Sequence, residues 1–140
     1  MKVQVIRSNR KTIGLEVRAD ESVILRAPAV DEISDVEWKS ILGEFTERVN
    51  HFCKIMEDTV GRITIRNQKT RWGSCSSKGN VNFNYQLYYM PRELMDYVII
   101  HELSHRRHMN HSAEFWQEVE KYCKTYRECR KKLRDYEIAP

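Results

Sequence analysis

The chain opens with three short runs of β-branched and alternating apolar residues: Val3-Gln4-Val5-Ile6, Ile13-Gly14-Leu15-Glu16-Val17-Arg18 and Ser22-Val23-Ile24-Leu25-Arg26. Turn residues at Ser8-Asn9 and Ala19-Asp20 separate them, and together they predict an antiparallel meander that Pro28 ends. Ser34 followed three residues later by Glu37 is a capping-box signal for a helix running to about 56. Its inner stripe is expected to comprise Trp38, Ile41, Leu42, Phe45, Val49 and Phe52. Gly61 then opens a second strand pair, 62–67 and 81–87, joined by a polar segment that includes Ser76-Ser77-Lys78-Gly79-Asn80. Alternation in Val81-Asn82-Phe83-Asn84-Tyr85 predicts one face in and one face out. Pro91 suits the first turn of a helix whose body, 94–103, is strongly apolar. Ser112 is placed to cap a following helix through about 123, and Thr125 with Glu128 to box a last, basic one.

At 140 residues, without internal repeat or linker, the chain reads as a single domain, 1–140. Its 41% hydrophobic and 31% charged residues suit a globular fold and lack the signature of disorder. No apolar run reaches the roughly 18 residues of a membrane span, and Met1-Lys2-Val3-Gln4 lacks the apolar centre of a signal peptide. A cytoplasmic location without membrane association is expected, and with it reduced thiols at Cys53, Cys75, Cys123 and Cys129. No C-x-x-C pair is present, so the cysteines are assigned no zinc chemistry. The net charge is a mild +4, concentrated near the end in Arg127, Arg130, Lys131, Lys132 and Arg134. A solvated helix face is the simplest reading of that cluster, with a nucleic-acid phosphate patch as the alternative.

The segment that changes the picture is His101-Glu102-Leu103-Ser104-His105, an H-E-x-x-H. On a helix, four residues advance about 6 Å and turn the side chain by only roughly 40°, so both imidazoles face one metal. Neutral imidazole nitrogen suits zinc, and a packed helix sets the ligand separation before the metal arrives. Glu102 lies about 100° around from His101, where its carboxylate reaches a water beside the metal rather than the metal itself. It is the candidate general base. A catalytic zinc normally takes three protein ligands, for which His108, His111 and His51 compete. His111 is preferred, because Met109-Asn110 offers a place to leave the helix and Asn tolerates left-handed geometry. His108, about 60° short of alignment with His105, stays as the competitor. His108 also stands where the longer H-E-x-x-H-x-x-G-x-x-H pattern has glycine, and no Met follows Met109 to supply a Met-turn.

With these residues placed, the chain resembles the YgjP-like metallopeptidase family, itself related in appearance to the SprT-like and WLM proteases. The resemblance rests on Thr70-Arg71-Trp72-Gly73-Ser74-Cys75-Ser76-Ser77-Lys78-Gly79-Asn80, on Val98-Ile99-Ile100-His101-Glu102-Leu103-Ser104-His105, and on Asn110-His111-Ser112 with Phe115-Trp116. It covers nearly the whole chain. It implies an α+β, zincin-like fold in which antiparallel strands pack against the H-E-x-x-H helix, with His111 as third ligand. Ser104, where members often have alanine, and the basic Arg106-Arg107-His108 are departures that bear on substrate preference.

The expected function is therefore zinc-dependent hydrolysis, of a peptide or protein, with Zn2+ on His101, His105 and His111 and Glu102 as base. Arg71 could hold an oxyanion or substrate carboxylate with Trp72 beneath the site, against a purely structural role for both. Tyr85, Tyr88 and Tyr89 are further oxyanion candidates, more simply read as packing residues. Two other functions remain open. One is a metal-dependent nucleotide phosphohydrolase using Arg106-Arg107, the other a nucleic-acid or partner-binding module with structural zinc.

Overall fold

The computed structural model describes residues 3–8, 14–17, 23–68 and 70–137, with side chains from 27 to 136. Strands β1 (Val3–Ser8), β2 (Gly14–Val17) and β3 (Val23–Pro28) are followed by helix α1 (Asp35–Met56). Next come β4 (Arg62–Arg66), β5 (Gly73–Cys75), β6 (Asn80–Asn84) and a 3-10 segment, Tyr85–Tyr89. Helices α2 (Arg92–Ser104), α3 (Ala113–Tyr122) and α4 (Tyr126–Asp135) and the short β7 (Tyr136–Glu137) complete the fold. This is the expected α+β class, but its strand pairing is mixed. The first sheet has the order β2-β3-β1-β7, with β1 parallel to both β3 and β7. Only β2 and β3 pair antiparallel, Leu15 opposite Leu25. The expected meander is thus corrected: alternation marks a strand and its faces but says nothing about which neighbour it takes. The proposed turns at Asn9 and Ala19-Asp20 lie outside the described residues.

The second sheet has the order β4-β6-β5, β4 parallel and β5 antiparallel to β6. The polar segment read as a long connection thus contains a strand, β5, and the β5–β6 turn closes with Gly79 N donating to Ser76 O at 2.9 Å. Gly79 has φ 83°, a left-handed conformation that side chains resist, and a Cβ there would meet the Arg106 guanidinium carbon at 2.7 Å. Asn84 breaks the expected alternation. It is fully buried, and its amide nitrogen donates to Gln68 O at 2.8 Å and Arg71 O at 3.3 Å while Oδ1 accepts from Gln86 N at 3.0 Å. A buried amide so satisfied ties down the loop that carries Arg71 and Trp72.

The early helix spans the expected range, and Ser34 Oγ accepts from Glu37 N at 3.1 Å. The capping box is only half made, because the Glu37 carboxylate accepts from the Tyr89 hydroxyl instead. Leu42, counted in the inner stripe, is 47% exposed, whereas Ile41, Phe45 and Val49 are fully buried. The last helix starts at Tyr126 without a side-chain cap from Thr125.

Helix α2 is the hub. It touches α1, α3, α4 and β5. Leu94, Met95, Tyr97, Val98, Ile99, Ile100 and Leu103 are all buried, so apolar side chains surround it on nearly every face. Arg48 on α1 adds a two-pronged bond to Asp96 on α2, at 2.9 and 2.8 Å. Phe45 on α1 stacks on Phe83 of β6, ring centroids 5.6 Å apart, joining helix to sheet. No helix of the described residues is long and apolar enough to cross a membrane. The corrected stripe has a direct consequence: Phe45→Ala should lower unfolding free energy by about 3–5 kcal/mol in a urea titration. Leu42→Ala should stay within about 0.5 kcal/mol of the parent.

Candidate metal centre

His101 and His105 project from the same side of α2, and the chain then brings His111 to them. The nitrogen ligand atoms of the three all lie within 4.8 Å of one another. Ring centroids are separated by 5.1 Å (His101 and His105), 5.2 Å (His101 and His111) and 4.8 Å (His105 and His111). The Nε2 atoms of His101 and His111 stand 3.3 Å apart. Two nitrogens bound at about 2.0–2.1 Å to a tetrahedral zinc would be separated by about 3.3–3.4 Å. The donor set therefore fits such a cation.

The tautomer fits as well. His105 Nδ1 lies 3.0 Å from His108 O, and since a carbonyl only accepts, Nδ1 must donate and Nε2 keeps its lone pair for a metal. His108 thus serves the cluster through its backbone, and its imidazole is not part of it. Tyr97 Oη, at 3.3 Å, is the corresponding partner of His101 Nδ1. Burial, then the neighbouring His105 and His111, push the His101 pKa down to about 3, and burial pushes His105 down too. Both rings are neutral, as ligands must be.

The turn to His111 differs from expectation. Helix α2 ends at Ser104, and Arg106 N, Arg107 N and His108 N bond back to Leu103 O and Ser104 O at 3.0–3.2 Å. No left-handed residue is needed at Asn110; among the described non-glycine residues only Glu57 has positive φ. Two arginines secure this turn. Arg107 donates to the α1 carbonyls Met56 O (2.9 Å) and Glu57 O (3.3 Å), while Arg106 donates to Thr59 O (3.2 Å) and lies 3.7 Å from Asp58. Ser112 then caps α3 as expected, Oγ accepting from Phe115 N at 3.3 Å, and so fixes the residue just after His111. Fully buried Phe115 packs face-on to His105, centroids 4.4 Å apart, with its edge contacts to His101 and His111 both at 5.0 Å. His51 is exposed against Phe52, away from the cluster.

Glu102 is 6% exposed, and burial pushes its pKa up to about 8, partly offset by the positive charge of Arg71. Its carboxylate accepts no hydrogen bond among the described residues, and Glu102 lines a cleft. The cleft has a volume of about 330 Å³. Gly73 makes room for the acid: a Cβ there would stand 3.1 Å from Glu102 Cγ, Val98 Cγ1 and Asn82 O. Arg71 and Trp72 line the same cleft, so the second motif and the H-E-x-x-H meet in space. Of the tyrosines considered, Tyr85 bonds to Pro28 O at 2.9 Å and Tyr89 to Glu37, both away from the cleft. Tyr97, not singled out from sequence, does line it; its signal was its position four residues before His101. Arg130 and Arg134 line it too; both are exposed, as the reading of a solvated basic face expects, and that face borders the cleft.

The family described as "YgjP-like, metallopeptidase domain" matches residues 27–136. Among solved structures, the chain is similar to the metallopeptidase zymogen abylysin of Pyrococcus abyssi: TM-score 0.58, 26% identity, 64% of this chain and 90% of that one. It is similar to the zymogen jannalysin of Methanocaldococcus jannaschii with TM-score 0.56 and 25% identity over 64% of this chain and 92% of that one. No curated protein matches.

The shared contact of Phe115 with all three histidines makes it a structural test of the cluster. Phe115→Ala should cost about 3–5 kcal/mol in a urea titration and broaden the imidazole resonances of His101, His105 and His111 together. A loss under about 1 kcal/mol would contradict the packing described.

Proposed function

The chain belongs to the YgjP-like metallopeptidase family, and from that premise we propose that it is a zinc-dependent endo- or exopeptidase whose ligands are His101, His105 and His111, with Glu102 as general base. The observation that carries this reading is the convergence of three imidazoles beside one buried carboxylate, with His101 and Glu102 lining a cleft. When bound, zinc supplies Lewis acidity, polarising a carbonyl and lowering the pKa of water to about 7. The remaining work falls to the protein. Glu102 takes a proton from the attacking water and returns it to the leaving amine; burial raises its pKa to about 8 in the metal-free chain, and a cation on the adjacent imidazoles would lower it toward the ionised, proton-accepting form. Tyr97 is a cleft donor available to the carbonyl oxygen, Arg71 a cation available to the substrate, and Trp72 forms an apolar wall. Strand β5 is an edge of its sheet and reaches the cleft at Gly73, so an extended peptide is read as adding alongside it.

The two other functions gain nothing. Arg106 and Arg107, invoked for nucleotide phosphates, are committed to carbonyls and to Asp58 and Glu118. Structural zinc normally takes four protein ligands, and among the described residues the cluster has three.

Glu102→Gln should retain zinc and lose about 10²–10⁴-fold in peptide hydrolysis, measured by metal analysis beside a peptide digest. Undiminished turnover would reject it as base. His111→Ala should lower zinc affinity at least about tenfold more than His108→Ala in a competitive chelator titration, and the reverse order would reassign the third ligand.

A further inference from the structure

Three arginines from two separate parts of the chain line the cleft. Arg71 comes from the loop before β5; Arg130 and Arg134, one helical turn apart, come from the face of α4 that also presents Leu133. Among the described residues no carboxylate lies within 4 Å of any of them. The arginines around the rest of α2 differ: Arg48, Arg106 and Arg107 are paired with Asp96, Asp58 and Glu118. Arg130 is held in place, its guanidinium carbon 4.3 Å from the centre of Trp116, whose ring stacks on His111 at 5.8 Å. An anion meeting Arg130 would therefore sit beside the proposed zinc ligands. Between the cations the walls are apolar, formed by Trp72, Val98 and Leu133. Among the described residues the one acidic lining residue is Glu102, beside His101. All three arginines are exposed, and their shared positive field draws an anion toward the partly apolar hollow between them.

We propose that this cleft binds a carboxylate of the peptide substrate through Arg71, Arg130 and Arg134, which makes substrate recognition depend on that carboxylate. The proposal rests on the peptidase reading above. Planar guanidinium groups match a carboxylate two-pronged, and the carboxylate is either an Asp or Glu side chain near the scissile bond or the substrate's own C-terminus. A nucleotide triphosphate is the competing anion; the apolar walls and the adjacent free edge of β5 favour an extended peptide.

The test uses the full-length chain and four matched peptides, carrying Glu or Gln at one position and a free or amidated C-terminus. Binding to the zinc-free protein is measured by calorimetry, and cleavage by the zinc-loaded protein by mass spectrometry. The better carboxylate source should bind at least about tenfold more tightly than its neutral match. Glu against Gln identifies a side-chain carboxylate, and free against amidated identifies the terminus. Arg130→Gln and Arg134→Gln should each shrink that ratio, and the pair should bring it near one. Arg134 is exposed, so its variant keeps the test valid should Arg130→Gln disturb the Trp116 stack. Peptide cleavage without carboxylate discrimination would overturn the cleft proposal and leave the peptidase reading standing. Carboxylate discrimination lost in the variants, but without cleavage of any peptide, would support the cleft and sink the peptidase reading. Equal binding of all four peptides with tight, arginine-dependent binding of ATP would overturn the proposal in favour of a nucleotide.

Discussion

Helix α2 is enclosed by α1, α3, α4 and β5 and presents Tyr97, Val98, His101 and Glu102 to the cleft, with His105 at its end beside His101. To roll it by even part of a turn would bring Leu94, Ile99 or Leu103, each fully buried, toward water. The direction of two imidazoles and one carboxylate is therefore set by apolar packing on the opposite faces, before any ligand is present. What remains is to bring in His111. That is done by a turn whose carbonyl at His108 orients His105, whose arginines clamp it to the end of α1, and whose last residue, Ser112, starts α3.

Much of this was legible in the chain because local rules suffice for it. The spacing of His101 and His105, the cap at Ser112 and the apolar body of α2 all follow from helix periodicity and capping chemistry. The preference for His111 over His108 also came from local geometry, although the left-handed Asn110 expected to make the turn is not used. Non-local choices were not legible. Nothing in the alternation of Val3-Gln4-Val5-Ile6 distinguishes a parallel partner from an antiparallel one, and β1 takes two parallel neighbours. Leu42 has helical spacing that grazes the core stripe, and only the packing against α1 shows it 47% exposed. Arg130 and Arg134 read as surface charge because their relation to the cleft depends on how α4 docks against α2, a tertiary fact.

The electrostatics of the site follow from the same enclosure. Burial that holds His101 neutral also raises the Glu102 carboxyl to about 8, so one cause acts on both the proposed ligand and the proposed base. Arginines on the cleft wall work in the opposite direction on the acid, since Arg71 partly restores its tendency to ionise. The second motif thus supplies Gly73, which leaves space for Glu102, as well as a charge that tunes it. Asn84 holds the loop that delivers both, through its bonds to Gln68 O and Arg71 O.

The central claim is that three imidazoles hold one cation and leave a place for water. X-ray absorption at the zinc edge of the loaded protein tests it most directly. The expected spectrum has three imidazole nitrogens at about 2.0–2.1 Å with at least one further oxygen scatterer and no sulfur. A sulfur shell at about 2.3 Å, or four imidazoles, would contradict it.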